Sequence, residues 1–181
     1  MTREPVGPLA LVGRRVRLRS AAPSDAAALE PIRNQPQVVR WWGELEPGEL
    51  DEFVAQETTL VIEVDGVVVG AIQFDEEDDP MYRRAGIDLY LTAARHSEGL
   101  GSDAVRTLAR FLIDERGHHR LTIDPAATNA AAIHAYEKVG FRAVGVMREY
   151  ERGVDGTFHD GLLMELLARD LLDDERPNAP A

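Results

Sequence analysis

No cysteine occurs among the 181 residues. Disulfides, a thiolate nucleophile and cysteine-based metal sites are excluded, and a cytoplasmic location is the default expectation. Long apolar runs are also missing. Nothing approaches the ~20 residues a membrane helix needs, so no membrane partner is expected. The opening MTREPVGPLALVGRR has only a short apolar patch, broken by Pro8 and Gly13, and makes a poor signal peptide. Positive charge is scarce: 20 Lys and Arg face 32 Asp and Glu, for a net charge of −12. That balance argues against a nucleic-acid partner, whose phosphates it would repel, and it steers cationic ligands inward. The five histidines show no metal-ligand spacing, and no metal is expected.

What is present reads as one folded domain. Apolar residues make up 44% of the chain, enough for a sizeable core. Neither a repeat nor an internal linker divides it, so a single domain is expected over residues 1–170, with a polar, proline-containing tail over 171–181. RRVRLRSA, from Arg14, alternates basic and apolar residues as a strand does. In APSDAAALEPIRN, Ser24 is a candidate N-cap for a helix through Ala26–Leu29. Pro47-Gly48 marks a turn, followed by a helix over Glu49–Gln56. Two β-branched runs flank Asp65-Gly66, a preferred pair for a tight hairpin turn. AGIDLYLTA is a further strand, with Ile87, Leu89 and Leu91 on one face and Asp88 on the other. A long amphipathic helix is expected over Leu100–Arg116, with Val105, Leu108, Leu112 and Ile113 inward and Gly117 as its stop. HRLTIDP is a short strand, ATNAAAIHAYEKVGF a helix starting near Asn129, and Asp155-Gly156 the turn of a second hairpin. Successive strands without intervening helices indicate an α+β domain with a largely antiparallel sheet.

Gly99 and Gly101 stand at the mouth of the long helix, where free backbone N–H groups and the helix dipole favour an anion. Gly99-Leu100-Gly101-Ser102-Asp103-Ala104 fits the dinucleotide pattern G-x-G-x-x-A, and Asp124 stands where a ribose-binding acid would. Two features weigh against that reading. Seven residues lie between Leu91 and Gly99, and the preceding strands form a meander. A triphosphate loop is excluded, because no Gly-Lys-Ser/Thr is present. Residues 98–102 presenting amides to a pyrophosphate fit better, although an ordinary flexible helix start would look the same.

The same stretch resembles the GCN5-related N-acetyltransferase superfamily, whose pyrophosphate turn follows Gln/Arg-x-x-Gly-x-Gly/Ala. Here it reads His96-Ser97-Glu98-Gly99-Leu100-Gly101; His96 departs from the first position, with Arg95 one residue away. TIDPAATNAAAIHAYEKVGF is similar to the family's Asn-x-x-Ala-x-x-x-Tyr-x-x-x-Gly-Phe signature, with Asn129, Ala132, Tyr136, Gly140 and Phe141 in place. This second match is much the more specific. Within the superfamily, VVRWWGE, the acidic run before GID and the final hairpin resemble the aminoglycoside 6'-N-acetyltransferase group, over roughly residues 35–167. The resemblance implies a mixed, largely antiparallel central sheet flanked by helices and splayed at a coenzyme site, and it implies acetyl-CoA as cofactor. It places the pantetheine arm along Leu89, Tyr90 and Leu91. His96, Glu98, Gly99, Leu100, Gly101 and Ser102 are expected at the pyrophosphate, with Asn129 and Ala132 on the coenzyme.

Acetyl transfer needs an amine that loses a proton and a thiolate that gains one. Without cysteine, direct attack in a ternary complex is the simplest route. Tyr136 shares a helix face with Asn129, seven residues before it; spacing alone favours a core tyrosine, and the resemblance makes it the candidate acid. Asparagine at 129 also suits a plain helix cap. Asp88, disfavoured mid-strand, is either a solvent-facing side chain or a carboxylate that binds or deprotonates a substrate ammonium. Asp75, Glu76, Glu77, Asp78 and Asp79 form an acid run that reads first as a solvated loop, and second as the rim of a cationic acceptor's site. Trp41 and Trp42 fill a core or stack on the acceptor. The resulting expectation is a direct N-acetyltransferase acting on a cationic small-molecule amine, with an aminoglycoside foremost, functioning as a monomer or homodimer. Its rivals are a protein N-terminal or polyamine acetyltransferase and an acyl-CoA-binding module without turnover.

Overall fold

The computed structural model describes residues 7–173. Eight strands form one sheet in the order β1-β2-β3-β4-β5-β6-β8-β7. They are β1 (Ala10–Val12), β2 (Arg17–Ser20), β3 (Thr59–Val64), β4 (Val67–Glu77), β5 (Arg84–Leu91), β6 (Arg120–Ile123), β7 (Arg142–Arg152) and β8 (Phe158–Leu167). The helices are α1 (Ala26–Arg33), α2 (Pro36–Trp42), α3 (Glu49–Val54), α4 (Leu100–Asp114) and α5 (Ala130–Glu137). Among the described residues, only β5 and β6 pair in parallel, joined through α4; the other pairings are antiparallel. The fold is therefore α+β with a mixed, mostly antiparallel sheet, as the strand meander implies.

Two apolar layers cover the two faces of the sheet. On one, Val105, Leu108 and Leu112 of α4 and Val139 and Phe141 after α5 pack on Leu60, Ile62, Ile72, Ile87 and Met164. On the other, Leu29, Val38 and Val54 of α1–α3 pack on Val61, Ala71 and Tyr90. The period-2 alternation of β5 sends Ile87, Leu89 and Leu91 to the first layer and Tyr90 to the second. Asp88, of the same parity as Tyr90, faces the α1–α3 side.

Local chemistry sets most boundaries. Asp65 (φ 53°) and Gly66 (φ 76°) make the β3–β4 turn. Gly117 (φ 72°) ends the region of α4, which stops at Asp114 rather than running to Arg116. Ser24 is not a cap but lies inside a 3-10 turn over Pro23–Asp25 that precedes α1; Ala22 is the N-cap of that turn, and the Asp25 carboxylate reaches back to accept from Ala22 N–H at 2.8 Å. The helix after Pro47-Gly48 is shorter than expected, ending at Val54. The acidic run is not a loop from its start: Asp75, Glu76 and Glu77 are the last residues of β4, paired with Gly86, Ala85 and Arg84. Of the expected tail, Leu172 N–H donates to Val139 O at 2.9 Å, and its carbonyl accepts from Arg106 at 2.9 Å. Residues 174–181 lie outside the described residues.

Candidate active site

The parallel β5–β6 pairing covers only Ala85↔Leu121 and Gly86↔Thr122. Beyond Gly86, β5 continues to Leu91 bonded to β4 on one edge, while β6 diverges from the other. A sheet normally satisfies both edges of an internal strand, so this splay exposes a stretch of ladder-capable backbone. Side chains meet some of those groups. Leu89 N–H donates to Asp88 Oδ1 at 2.9 Å, Trp42 Nε1 donates to Leu89 O at 3.2 Å, and His96 Nε2 lies 3.1 Å from Leu91 O.

The free edge leads to the mouth of α4. Gly99 is its N-cap with φ 78°, a conformation that only glycine adopts without strain, and nothing lies within 4 Å of where a Cβ would stand. The helix ladder begins with Asp103 N–H to Gly99 O, which leaves the N–H groups of Leu100, Gly101 and Ser102 at the open end. Two guanidiniums flank it. Arg95 holds the Glu98 carboxylate at 2.7 Å, and Arg15 bonds the Glu98 carbonyl and lies 3.6 Å from its carboxylate. Two guanidiniums thus stand beside the helix mouth, both engaged with Glu98. Ser102 is turned inward, its Oγ donating to Ala135 O at 3.0 Å and tying α4 to α5. Asn129 caps α5, its Oδ1 accepting from Ala132 N–H at 3.2 Å.

On the α1–α3 side of the sheet, beside the splay, lies a cavity of about 640 Å³. Gln73, Asp75 and Asp88 of β4 and β5 form its floor, and Asp124, Tyr150 and Met147 its far wall. Gln73 and Asp88 are cross-strand partners. The Asp88 carboxyl opens on this space but is crowded on its other sides. That burial, and secondarily the Asp124 carboxylate and Glu151, push its pKa up to about 7 against the bonds from Leu89 N–H and Gln73. Tyr136, buried in the last turn of α5, is pushed above the usual phenol range by burial first, then by the charges of Asp88 and Asp124. The phenol and the two carboxylates therefore share one electrostatic neighbourhood.

The structure thus brings Asp88 and Asp75 into the cavity with Tyr136 near, and lines Leu89, Leu91, His96, Glu98 and Gly99–Ser102 along one path. The acids of the run differ in their partners. Asp75 is paired with Arg84 at 3.0 Å. Glu76 touches the cavity, but its carboxylate is buried and held by Arg116 at 3.0 and 3.1 Å and by His118 at 2.7 Å. Glu77 accepts from Asp79 N–H at 2.9 Å, and Asp78 lies 4.0 Å from Arg83, neither of them on the cavity. Asp78, Glu76 and His118 do cluster, with ligand atoms within 4.8 Å; Asp78 is exposed, and the Arg116 guanidinium occupies both oxygens of the buried Glu76 carboxylate. Trp42 packs edge-on against Tyr90 and Phe53, and Trp41 lies under Arg40 at 4.5 Å. Neither lines the cavity. Asp124 and Tyr150, bonded hydroxyl to carboxylate, line the cavity and are not among the residues the sequence singles out for it. The acid ending a strand was noticed only as a ribose ligand, and Tyr150 gave no sequence signal.

The chain matches the model of the acetyltransferase (GNAT) domain over residues 15–142. Aminoglycoside N(6')-acetyltransferase type 1 of Klebsiella pneumoniae is 30% identical over 155 residues, covering 73% of this chain and 76% of that protein. Spermidine N(1)-acetyltransferase of Escherichia coli K12 is 24% identical over 159 residues, covering 82% and 84%. Among solved structures, aminoglycoside acetyltransferase AAC(6')-Ib in complex with coenzyme A superposes with a TM-score of 0.70 at 27% identity, over 86% of this chain and 96% of that one. Among the described residues, no helix is long and apolar enough to cross a membrane.

Proposed function

The chain belongs to the acetyltransferase (GNAT) family, and on that premise we propose that it transfers an acetyl group from acetyl-CoA directly to an amine of a small polycationic molecule, an aminoglycoside foremost. The observation that carries the acceptor reading is the cavity: Asp88 and Asp124 face the same space, and among the described residues no cation pairs with either. A cavity of about 640 Å³ is the size that encloses a small organic ligand. Carboxylates spread across its floor and wall suit a molecule with several ammonium groups better than a peptide, which needs a run of backbone partners.

The residues fit the coenzyme. The diverging β5 edge presents Leu89 and Leu91 backbone to the pantetheine arm as a neighbouring strand would, and the N–H groups at Gly99–Ser102, with Arg15 and Arg95 beside them, suit the diphosphate. When bound, acetyl-CoA supplies a thioester carbonyl for attack and a thiolate that departs. Asp88, poised near neutrality, accepts the proton that the acceptor ammonium must lose, directly or through water. Tyr136, which keeps its proton at neutral pH because its pKa is raised, is the donor available to the leaving sulfur. With no cysteine in the sequence, transfer without a thioester on the enzyme is the route the chemistry leaves. Positioning of the two reactants then provides much of the acceleration.

The spermidine-acetylating relative supports a second reading, in which the acceptor is a linear polyamine. A thiol-release assay with acetyl-CoA decides between them, run against kanamycin-type aminoglycosides, spermidine and N-terminal peptides. Turnover of the aminoglycosides, and with it loss of their antibiotic action, supports the first reading. Turnover of spermidine alone moves the acceptor to the polyamines, and turnover of peptides alone overturns the acceptor claim.

A further inference from the structure

The cavity floor changes in charge from one end to the other. Alternation along β5 turns Arg84, Gly86 and Asp88 to one face, and Arg120, Thr122 and Asp124 lie level with them along β6. Arg84 precedes Asp88 by four residues, roughly 13 Å of strand. Asp88 and Asp124 therefore stand at the splayed end, while Arg84 and Arg120, the two guanidiniums that line the cavity, stand at the other. Asp75 lies between them, opposite Gly86 on the neighbouring strand.

By charge, Asp75 belongs with Asp88 and Asp124 as a partner for an ammonium. By geometry it is already engaged. Its Oδ2 accepts from Arg84 Nη1 at 3.0 Å. Its Oδ1 lies over Gly86, where a Cβ would come within 2.1 Å of that oxygen and 3.2 Å of Arg84 Nη1. Gly86 has no positive φ, so what its missing side chain provides is room. The ion pair can lie flat across the floor instead of standing out into solvent. Arg84 is half-buried and Asp75 exposed, and a pair this accessible adds little to fold stability. Its effect falls on what enters the cavity.

Resting on the reading of Asp88 as the group that meets the acceptor amine, we propose that Arg84 determines acceptor specificity. By holding Asp75 across Gly86, it cancels that carboxylate and turns the end of the cavity away from the splay into a neutral surface of paired donors and acceptors. The neighbouring charges at this end are matched in the same way. Arg120 donates to Glu165 at 2.8 Å, and Glu76 is held by Arg116 and His118. Glu77, across from Arg84, is not on the cavity. An acceptor suited to this floor carries ammonium at one end, for Asp88 and Asp124, and hydroxyl groups at the other, as amino sugars and amino alcohols do. A linear amine with an ammonium at each end brings its second charge to Arg84 and Arg120, where the lining carboxylate is already taken. Such a mismatch discriminates by repulsion as much as by lost contact.

A matched pair of probes reads the far end alone: diaminooctane, with an amine at each end of the chain, and aminooctanol, with a hydroxyl in place of one amine. Their binding to the full chain is measured by calorimetry, which needs no turnover. From wild type to Arg84→Gln, which frees Asp75, the affinity for the diamine is expected to rise about tenfold relative to that for the amino alcohol. Adding Asp75→Asn to Arg84→Gln should return the ratio to within about twofold of the wild type. A ratio that does not rise in Arg84→Gln, or a rise that persists once Asp75 is also replaced, would overturn the proposal; a general loss of binding leaves the ratio unmoved and counts against it too. Turnover of kanamycin and spermidine by the wild type judges the acceptor reading separately: no turnover of either counts against that reading, while the calorimetric ratio still judges Arg84.

Discussion

Asp88→Asn is the substitution whose consequence can be worked furthest. The side chains are nearly isosteric, and the carboxyl opens on the cavity, so the fold should survive. What is lost is a base. Crowding by protein, then the Asp124 charge, raise the Asp88 pKa to about 7. The sign follows directly: the group is an active carboxylate above that value and an inert acid below it. About half is ionised at pH 7, about a tenth at pH 6 and about nine tenths at pH 8. General-base catalysis typically contributes ~10²–10⁴-fold, and we expect the variant to lose about 100-fold in kcat/KM at pH 8. The acceptor amine has its own ionisation, so the informative quantity is the ratio of wild type to variant, measured by thiol release across pH 5.5–8.5 with one acceptor. That ratio should fall about tenfold for each pH unit below 7, since the wild type loses its base and the variant has none to lose. A ratio that stays flat across the range would refute the assignment, whatever its absolute size.

Tyr136→Phe should lower kcat about tenfold or more while leaving coenzyme binding, measured by calorimetry, within twofold of the wild type; equal losses in both would make the phenol structural. Arg15→Ala and Arg95→Ala each remove one guanidinium from the α4 mouth, and each should weaken coenzyme A binding by roughly threefold to tenfold, with the loss shrinking as salt rises. Asp103→Ala should be costly for a different reason. Its buried carboxylate accepts from the N–H groups of Arg14, Arg15 and Val16 at 3.2, 2.7 and 3.1 Å, pinning the β1–β2 turn to α4. Leaving those donors unmet should cost about 2–4 kcal/mol, a fall on the order of 5–10 °C in Tm by calorimetry.

Local signals carried much of the fold. Asp65-Gly66 dictates its turn because a hairpin of this twist needs positive φ at both positions, and the structure supplies them. The apolar stripe of α4 and the alternation of β5 are periodicities that survive folding unchanged. The face on which Asp88 lies was readable from its parity alone. What was not readable depends on partners distant in sequence. Asp75, Glu76 and Glu77 look like a solvated loop until Arg84, Arg116 and His118 arrive to neutralise the first two and let β4 continue. Helix α2 carries a Pro at its first position, but the short PQVVRWW leaves too little periodicity for a helix to be recognised. Tyr150 reaches Asp124 only through a bulge held by Asp160, and no spacing rule announces a non-glycine residue at φ 49°. Trp42, weighed as an acceptor contact, instead packs edge-on against Tyr90 and donates to the β5 backbone.

The central claim is that one end of the splay receives the coenzyme and brings its sulfur to the carboxylate-lined cavity. A crystal structure with coenzyme A and an aminoglycoside or spermidine tests it most directly. We expect the diphosphate on the amides at Gly99–Ser102, the arm along Leu89–Leu91, the sulfur beside Tyr136, and an acceptor nitrogen within hydrogen-bond reach of Asp88. A nucleotide lodged away from the α4 mouth, or an amine bound clear of Asp88 and Asp124, would contradict the account.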